Sequence, residues 1–246
     1  MKEMARRYPR IRDIIINCIL YIKYPKNFIY KWKFIVRGKK AKKLGVSFSP
    51  PNFIYKDHFN DKSIVIDAGC GYLADFSELM ISNYQLTAYG FDPTQKHTLS
   101  LQELERKHKG KFKYIAKAIT ATGNKILFNE STQNESGSII NSHKNILKDN
   151  IKSYEVESIT LRDIPNKVNT KKIDYIKLDI EGAEYDVLNS CSMDDLCAFQ
   201  QIFVEFHHNS VKQYNMKDTK KIIKKMKDNG FDSFSFDDLN YLFFRP

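Results

Sequence analysis

Cysteine is scarce. Cys18, Cys70, Cys191 and Cys197 are the only four in 246 residues, too few and too scattered for a disulfide scaffold. Cys191 and Cys197 have no second Cys or His pair beside them, which also argues against a structural zinc site. Reduced thiols, as in a cytosol, are the economical reading. Long apolar runs are missing too. The most apolar stretch near the start, Ile14 to Ile22, falls far short of the roughly 20 residues a membrane span needs. Its basic flank imitates a secretory leader, but Lys23, Tyr24 and Pro25 follow it in place of a small-residue cleavage site. Arg6-Arg7 runs straight into Tyr8-Pro9 and lacks a twin-arginine context. No internal repeat or low-complexity linker is visible.

Acidic residues are nearly absent from the first 45 positions. Glu3 and Asp13 face 14 Lys and Arg there, a balance of +12 in a chain of formal net charge +11. Residues 46–246 carry 26 basic against 27 acidic groups, so the body is neutral and the extension holds the whole excess. Whatever acidic partner the charge serves, the extension meets it. A helix is expected from about Ile11 to Tyr24, followed by a second stretch in which Phe28, Tyr30, Trp32 and Phe34 interleave with Lys31, Lys33 and Arg37. Two apolar faces packed on the main domain are the preferred reading. Peripheral contact with an anionic membrane through residues 1–45 is the alternative, and a nucleic-acid strand is a third, less favoured one.

What remains is rich in core-forming residues: 42% hydrophobic and 13% aromatic, which excludes wholesale disorder. From residue 63 short β-branched runs alternate with helical stretches, the pattern of an α/β domain with a mainly parallel sheet. Strands are expected at 63–67, 85–91, 112–119, 173–179 and 201–206. Helices are expected at 72–83, 99–109, 183–189 and 218–228, the last stopped by Asn229-Gly230. Phe231–Phe236 and Asn240–Phe244 suit an antiparallel hairpin at the sheet edge. Residues 120–170 break the alternation, with a hairpin near Lys125–Phe128 and a strand at Glu155–Thr160. The soft boundary near Ser47–Pro51 divides an extension, 1–50, from a domain, 51–246.

Ile64-Val65-Ile66-Asp67-Ala68-Gly69-Cys70-Gly71 reads as a buried strand entering a glycine turn. Glycine lets the chain turn tightly and approach a ligand closely. Asp92 follows Gly71 by 21 residues, at the end of the next strand, where a carboxylate can accept from both hydroxyls of an adenosine ribose. Gly69-x-Gly71-x-x-Ala74 also fits the relaxed dinucleotide fingerprint of an NAD(P)-dependent oxidoreductase. Asp67 argues against that ligand, because an acid beside the turn repels a pyrophosphate and suits a cation bearing an ammonium and a sulfonium: S-adenosylmethionine. An Asp that merely caps its helix is the alternative.

A second constellation is Ile176-Lys177-Leu178-Asp179-Ile180-Glu181-Gly182-Ala183-Glu184, an apolar strand that delivers Asp179 and Glu181 to the rim where parallel α/β sheets bind ligands. Glu184 suits the start of a helix. The next strand carries Glu205 and His207 to the same rim. These segments, with Val65–Gly71, Gly90-Phe91-Asp92-Pro93, Ile159-Thr160-Leu161-Arg162-Asp163 and Val204-Glu205-Phe206-His207, resemble the FkbM family of S-adenosylmethionine-dependent methyltransferases over about residues 53–245. The resemblance implies a class I, Rossmann-like α/β fold with a seven-stranded sheet and a reversed last strand, here preceded by the basic helical extension. It implies O-methylation, often of a sugar hydroxyl in a glycan, glycolipid or secondary metabolite.

On this reading Asp67, Gly69, Gly71, Tyr72, Asp92 and Ala118 hold the cofactor. His207 is the preferred base, since imidazole titrates near neutrality, and Asp179, Glu181 and Glu205 orient it, replace it or bind the acceptor. An arrangement without metal is preferred, although the same groups also suit Mg²⁺. An RNA methyltransferase that uses the basic extension is the rival. The amino-methylating kind, however, needs an Asn/Asp-Pro-Pro-aromatic clamp where Leu178-Asp179-Ile180-Glu181 stands.

Overall fold

The computed structural model describes residues 25–49, 52–56, 58–147 and 149–246, so the helix expected over 11–24 lies outside the described residues. The chain divides into two compact units, 1–45 and 46–246. In the first, helix α1 (Pro25–Leu44) takes up the second basic-aromatic stretch. No described helix is long and apolar enough to cross a membrane.

The second unit starts with strands β1 (Val46–Ser49) and β2 (Asn52–Tyr55), a hairpin built from the stretch that reads as a boundary in sequence. It continues through β3 (Ile64–Ala68), α2 (Asp75–Tyr84), β4 (Thr87–Phe91), α3 (Thr98–Lys107) and β5 (Phe112–Ile115). A middle portion holds β6 (Ala118–Ile119), β7 (Ile126–Ser131), β8 (Gly137–Ser138), α4 (Lys144–Leu147), β9 (Ile151–Val156), β10 (Ser158–Ile159) and α5 (Ile164–Lys167). The chain ends with β11 (Tyr175–Leu178), α6 (Glu184–Ser190), α7 (Met193–Cys197), β12 (Gln201–Glu205), α8 (Met216–Asp228), β13 (Asp232–Ser235) and β14 (Asn240–Phe244).

Seven strands form one sheet in the order β13-β14-β12-β11-β3-β4-β5. The five from β12 to β5 are parallel, and β14 runs antiparallel to both its neighbours. Strands covered on both faces need near-continuous apolar sequence. β11 is buried at all four positions and β3 at all but its first. Tyr185, Leu188, Ile222 and Met226 cover one face from α6 and α8. The hairpin is tied to the sheet by the Tyr175 hydroxyl, which donates to Phe53 O at 2.8 Å. The Gln201 amide also bonds both backbone polar groups of Tyr55.

Two expected strands are broken in the structure. The run 112–119 bends where Lys117 N–H donates back to Ile115 O at 2.8 Å, an i to i−2 turn. That bend swings Ala118–Ile119 away to pair with β10. Glu157 divides the second run, its carbonyl accepting from Ala118 N–H. Between these breaks β8, β7 and β9 make a separate antiparallel sheet, larger than the hairpin read from sequence. Helix α2 begins three residues later than expected, because Ala74 takes a left-handed conformation at φ +45° and holds the chain in the turn. The stop at Asn229-Gly230 agrees with expectation. Gly230, at φ +81°, donates to Lys227 O, and Phe231 N–H reaches back to Met226 O, a paired closure typical of a glycine-ended helix.

Candidate active site

Two constellations meet at the carboxyl ends of β3, β4, β11 and β12. The first is the glycine turn. Gly69, at φ +73°, donates to Phe91 O at 2.8 Å and sits so close to β11 that a Cβ there would stand 1.8 Å from Asp179 O. Gly71 N–H donates to Asp92 Oδ2 at 2.9 Å, which ties the turn to β4. Asp92 is 3% exposed, and its Oδ1 accepts from Thr94 N–H at 2.9 Å. His97 Nδ1 lies 3.3 Å from Oδ2, and its Nε2 lies 3.1 Å from Glu135 Oε2. A carboxylate offers about four acceptor positions, so these three contacts leave roughly one for a ribose hydroxyl. Binding through both hydroxyls, as read from sequence, therefore requires His97 to give up its contact.

Burial lowers the proton affinity of His97, but Asp92 and then Glu135 outweigh it, so its pKa rises above the usual 6.5. The folded value lies above the unfolded one. The stabilisation is thus complete below about pH 6.5 and fades as pH climbs through the folded value. Nitrogen-15 NMR titration should place this imidazole above 6.5, and Glu135→Gln should move the midpoint down. A midpoint at or below 6.5 in the native chain would refute the pairing.

A cleft opens over this turn. Gly69, Gly71, Asp92 and Ala118 line it, together with Phe91, Ile119, Phe128, Asp179 and Glu181. Apolar walls, a glycine floor and a carboxylate suit an adenosine with a charged tail. Two expected cofactor residues are placed elsewhere. Asp67 is 1% exposed and lies beneath the turn, accepting from Ser77 Oγ at 2.8 Å, with Lys177 Nζ 3.7 Å away. It serves the packing of α2 and the charge of Lys177, and it does not line the cleft. Tyr72 is 41% exposed, also outside the lining, with its ring 6.0 Å from that of His97.

The second constellation surrounds Asp179. Its Oδ2 accepts from Lys177 Nζ at 3.0 Å. Burial disfavours that ammonium, but Asp179 and Asp67 more than compensate and raise its pKa. Glu181 and Gly182 both take positive φ, +53° and +106°. This bend turns the N–H groups of Ile180 and Gly182 onto Glu184 Oε1, at 2.9 and 3.2 Å. The same oxygen lies 3.0 Å from His207 Nδ1. Glu184 is fully buried, so its role exceeds the helix-start position expected of it. On the other side of the ring, His207 Nε2 lies 3.5 Å from Glu181 Oε2 and 3.7 Å from Asp179 Oδ1. His143 Nε2, from the middle portion, is 2.7 Å from Glu181 Oε2.

This crowding corrects the expectation that His207 titrates near neutrality. Burial alone would lower its pKa, but Glu184, Glu181 and Asp179 prevail and push it up to about 10. Left to protons alone, the ring is an imidazolium at pH 7 and has no lone pair for a hydroxyl proton. Glu205 shifts up to about 7, through burial first and Asp179 second. His97, Glu135, His143 and Lys177 were not anticipated as site residues. Only Lys177 left a signal, as a charge interrupting an apolar strand.

A model of the methyltransferase FkbM domain matches residues 40–233, well over half of the chain. Among curated proteins no sequence matches. Similar solved structures include an rRNA methylase from Streptococcus thermophilus, at 9% identity and TM-score 0.41, covering 75% of this chain and 86% of that one. The fibrillarin pre-rRNA processing protein of Methanococcus jannaschii has 12% identity and TM-score 0.42, covering 83% and 72%. The precorrin-6y C5,15-methyltransferase of Geobacter metallireducens has 8% identity and TM-score 0.41, covering 86% and 88%. Likeness at this distance carries no argument about the acceptor.

Proposed function

We propose that this chain, which belongs to the FkbM methyltransferase family and takes its methyl group from S-adenosylmethionine, moves that group to a hydroxyl oxygen of a sugar-bearing acceptor. One observation carries the proposal: Asp179 and Glu181 line the same cleft as Gly69, Gly71 and Asp92. Two carboxylates able to take a proton or bind a sugar hydroxyl thus share the cleft proposed for the cofactor. Bound there, the cofactor supplies an electrophilic methyl on a sulfonium.

Gly69 and Gly71 give the close floor, Asp92 accepts from the ribose, and Ala118, Ile119 and Phe128 cover the adenosine from the side. Because methyl transfer is an in-line displacement, the protein's main task is alignment. Asp179 is held from one side by Lys177 and faces His207 from the other, so its carboxylate keeps a fixed direction toward the cleft. Glu181, Glu205 and His207 complete the acceptor side. The excess positive charge of residues 1–45 supports peripheral contact with anionic lipid as the place where a glycolipid acceptor is met.

The test is transfer of an isotopically labelled methyl group to a panel of methyl glycosides, nucleotide sugars and glycolipids, with RNA alongside. Label on a sugar oxygen is expected, and Asp179→Asn should cut turnover by about two orders of magnitude. Label on an RNA base, with none on any sugar, would overturn the acceptor class.

A further inference from the structure

We propose that His143, Glu181 and His207 form a binding site for one divalent transition-metal ion of the zinc or manganese type, beside the methyl-donor cleft. Three ligand atoms, one from each residue, lie within 4.8 Å of one another. Glu181 Oε2 is the meeting point, 2.7 Å from His143 Nε2 and 3.5 Å from His207 Nε2. Donors bound to one ion at about 2.1 Å stand roughly 3.0–3.4 Å from each other, so small side-chain shifts complete the set.

The surroundings favour a cation over a chance cluster. His207 Nδ1 faces the fully buried Glu184 Oε1 at 3.0 Å. With the ring proton held on Nδ1, the lone pair of Nε2 points at Glu181, as in the carboxylate–histidine–metal arrangement. Around the cluster stand the acidic groups of Asp179, Glu181, Glu184 and Glu205, against the Lys177 ammonium, shared with Asp67, and the His207 ring proton that the ion would displace. That excess of negative charge is what a divalent ion would balance. Two imidazoles with one carboxylate suit zinc and its first-row neighbours, whereas Mg²⁺ and Ca²⁺ prefer all-oxygen sets. His143 is 1% exposed and comes from the inserted portion, so the ion would also fasten that portion to the central sheet.

The catalytic role of the ion rests on the proposed methyl transfer to a sugar hydroxyl. The set leaves open positions, and Asp179 Oδ1 lies 3.7 Å from His207 Nε2. An acceptor hydroxyl there is made more acidic by the ion. Its O–H proton passes to the Asp179 carboxylate, its electron pair forms the new O–CH₃ bond, and the C–S bond breaks to leave neutral S-adenosylhomocysteine.

The full-length protein, stripped with chelator, is titrated with Mn²⁺ alone by electron paramagnetic resonance and with Zn²⁺ alone by calorimetry. S-adenosylhomocysteine is titrated in parallel. One ion per chain is expected, uncompeted by equimolar Mg²⁺. Glu181→Gln and His143→Ala should each weaken it at least about tenfold, and Glu184→Gln by roughly 10–100-fold. Glu181 is partly exposed, so its variant keeps the test valid should the His143 variant fail to fold. If S-adenosylhomocysteine binds and neither ion does, or if Glu181→Gln leaves ion affinity unchanged, the metal site is refuted and the methyltransferase reading stands. If the ions bind as expected and S-adenosylhomocysteine does not, the site stands and the cleft assignment fails.

Discussion

Gly69→Ala should lower the stability of the domain by more than about 4 kcal/mol. The new Cβ would lie 1.8 Å from the carbonyl oxygen of Asp179 and 2.9 Å from its carbon. Both partners are backbone, one at the end of β3 and the other at the end of β11, so neither can rotate away. The φ of +73° adds its own cost for an L-residue. Separating two central strands at their paired ends exceeds about 4 kcal/mol, a large part of the 5–15 kcal/mol that holds a domain folded. Gly71→Ala is the control. Its φ is +64°, but a Cβ there meets nothing within 4 Å, so about 1–2 kcal/mol is expected. Urea unfolding of the two variants reads the difference directly. Equal losses would show that the close approach to Asp179 has no energetic weight.

Asp92→Asn should lower affinity for S-adenosylhomocysteine about a hundredfold or more while the domain stays folded. The side chain keeps its shape but exchanges an acceptor oxygen for a donor NH₂. In the native chain Oδ2 accepts from Gly71 and Oδ1 from Thr94, so one of those N–H groups would then face another donor. Asp92 is 3% exposed, and an unsatisfied buried group costs about 1–3 kcal/mol. Loss of the charge also weakens any bond to a ribose hydroxyl. A factor of 100 corresponds to about 2.7 kcal/mol, within the range of one hydrogen bond to a charged group; the unsatisfied N–H lowers stability in the free and bound states alike. Calorimetry checks the affinity, and an unchanged constant would remove Asp92 from the cofactor site.

The sheet was legible because its strands obey a local rule: Val65–Ala68 and Tyr175–Leu178 are buried, and runs that are apolar but for Asp67 and Lys177 announce that condition. The bend at Lys117 was not legible, since a single i to i−2 bond decides it and either neighbour would continue a strand. Asp179, Glu181 and His207 were readable as a rim because β11 and β12 are adjacent and parallel. What each rim group does was less so. The proton affinity of His207 depends on Glu184, 23 residues away in sequence, and no spacing along the chain reports a buried partner. Asp67 has partners that spacing does not report either: Ser77, on α2, donates to it and buries it beneath the turn. His143 and Glu135 sit in a polar stretch without periodicity, so only folding brings them to the site.

The three strands β7, β8 and β9 pair with one another and not with the large sheet, yet Phe128, Glu135, Gly137 and Ile139 from this portion form one wall of the cleft. The central strands carry the constraints that keep the protein folded, and the small sheet faces the incoming molecule. A substitution on the small sheet can therefore reshape the cleft without passing through the register of the seven-stranded sheet.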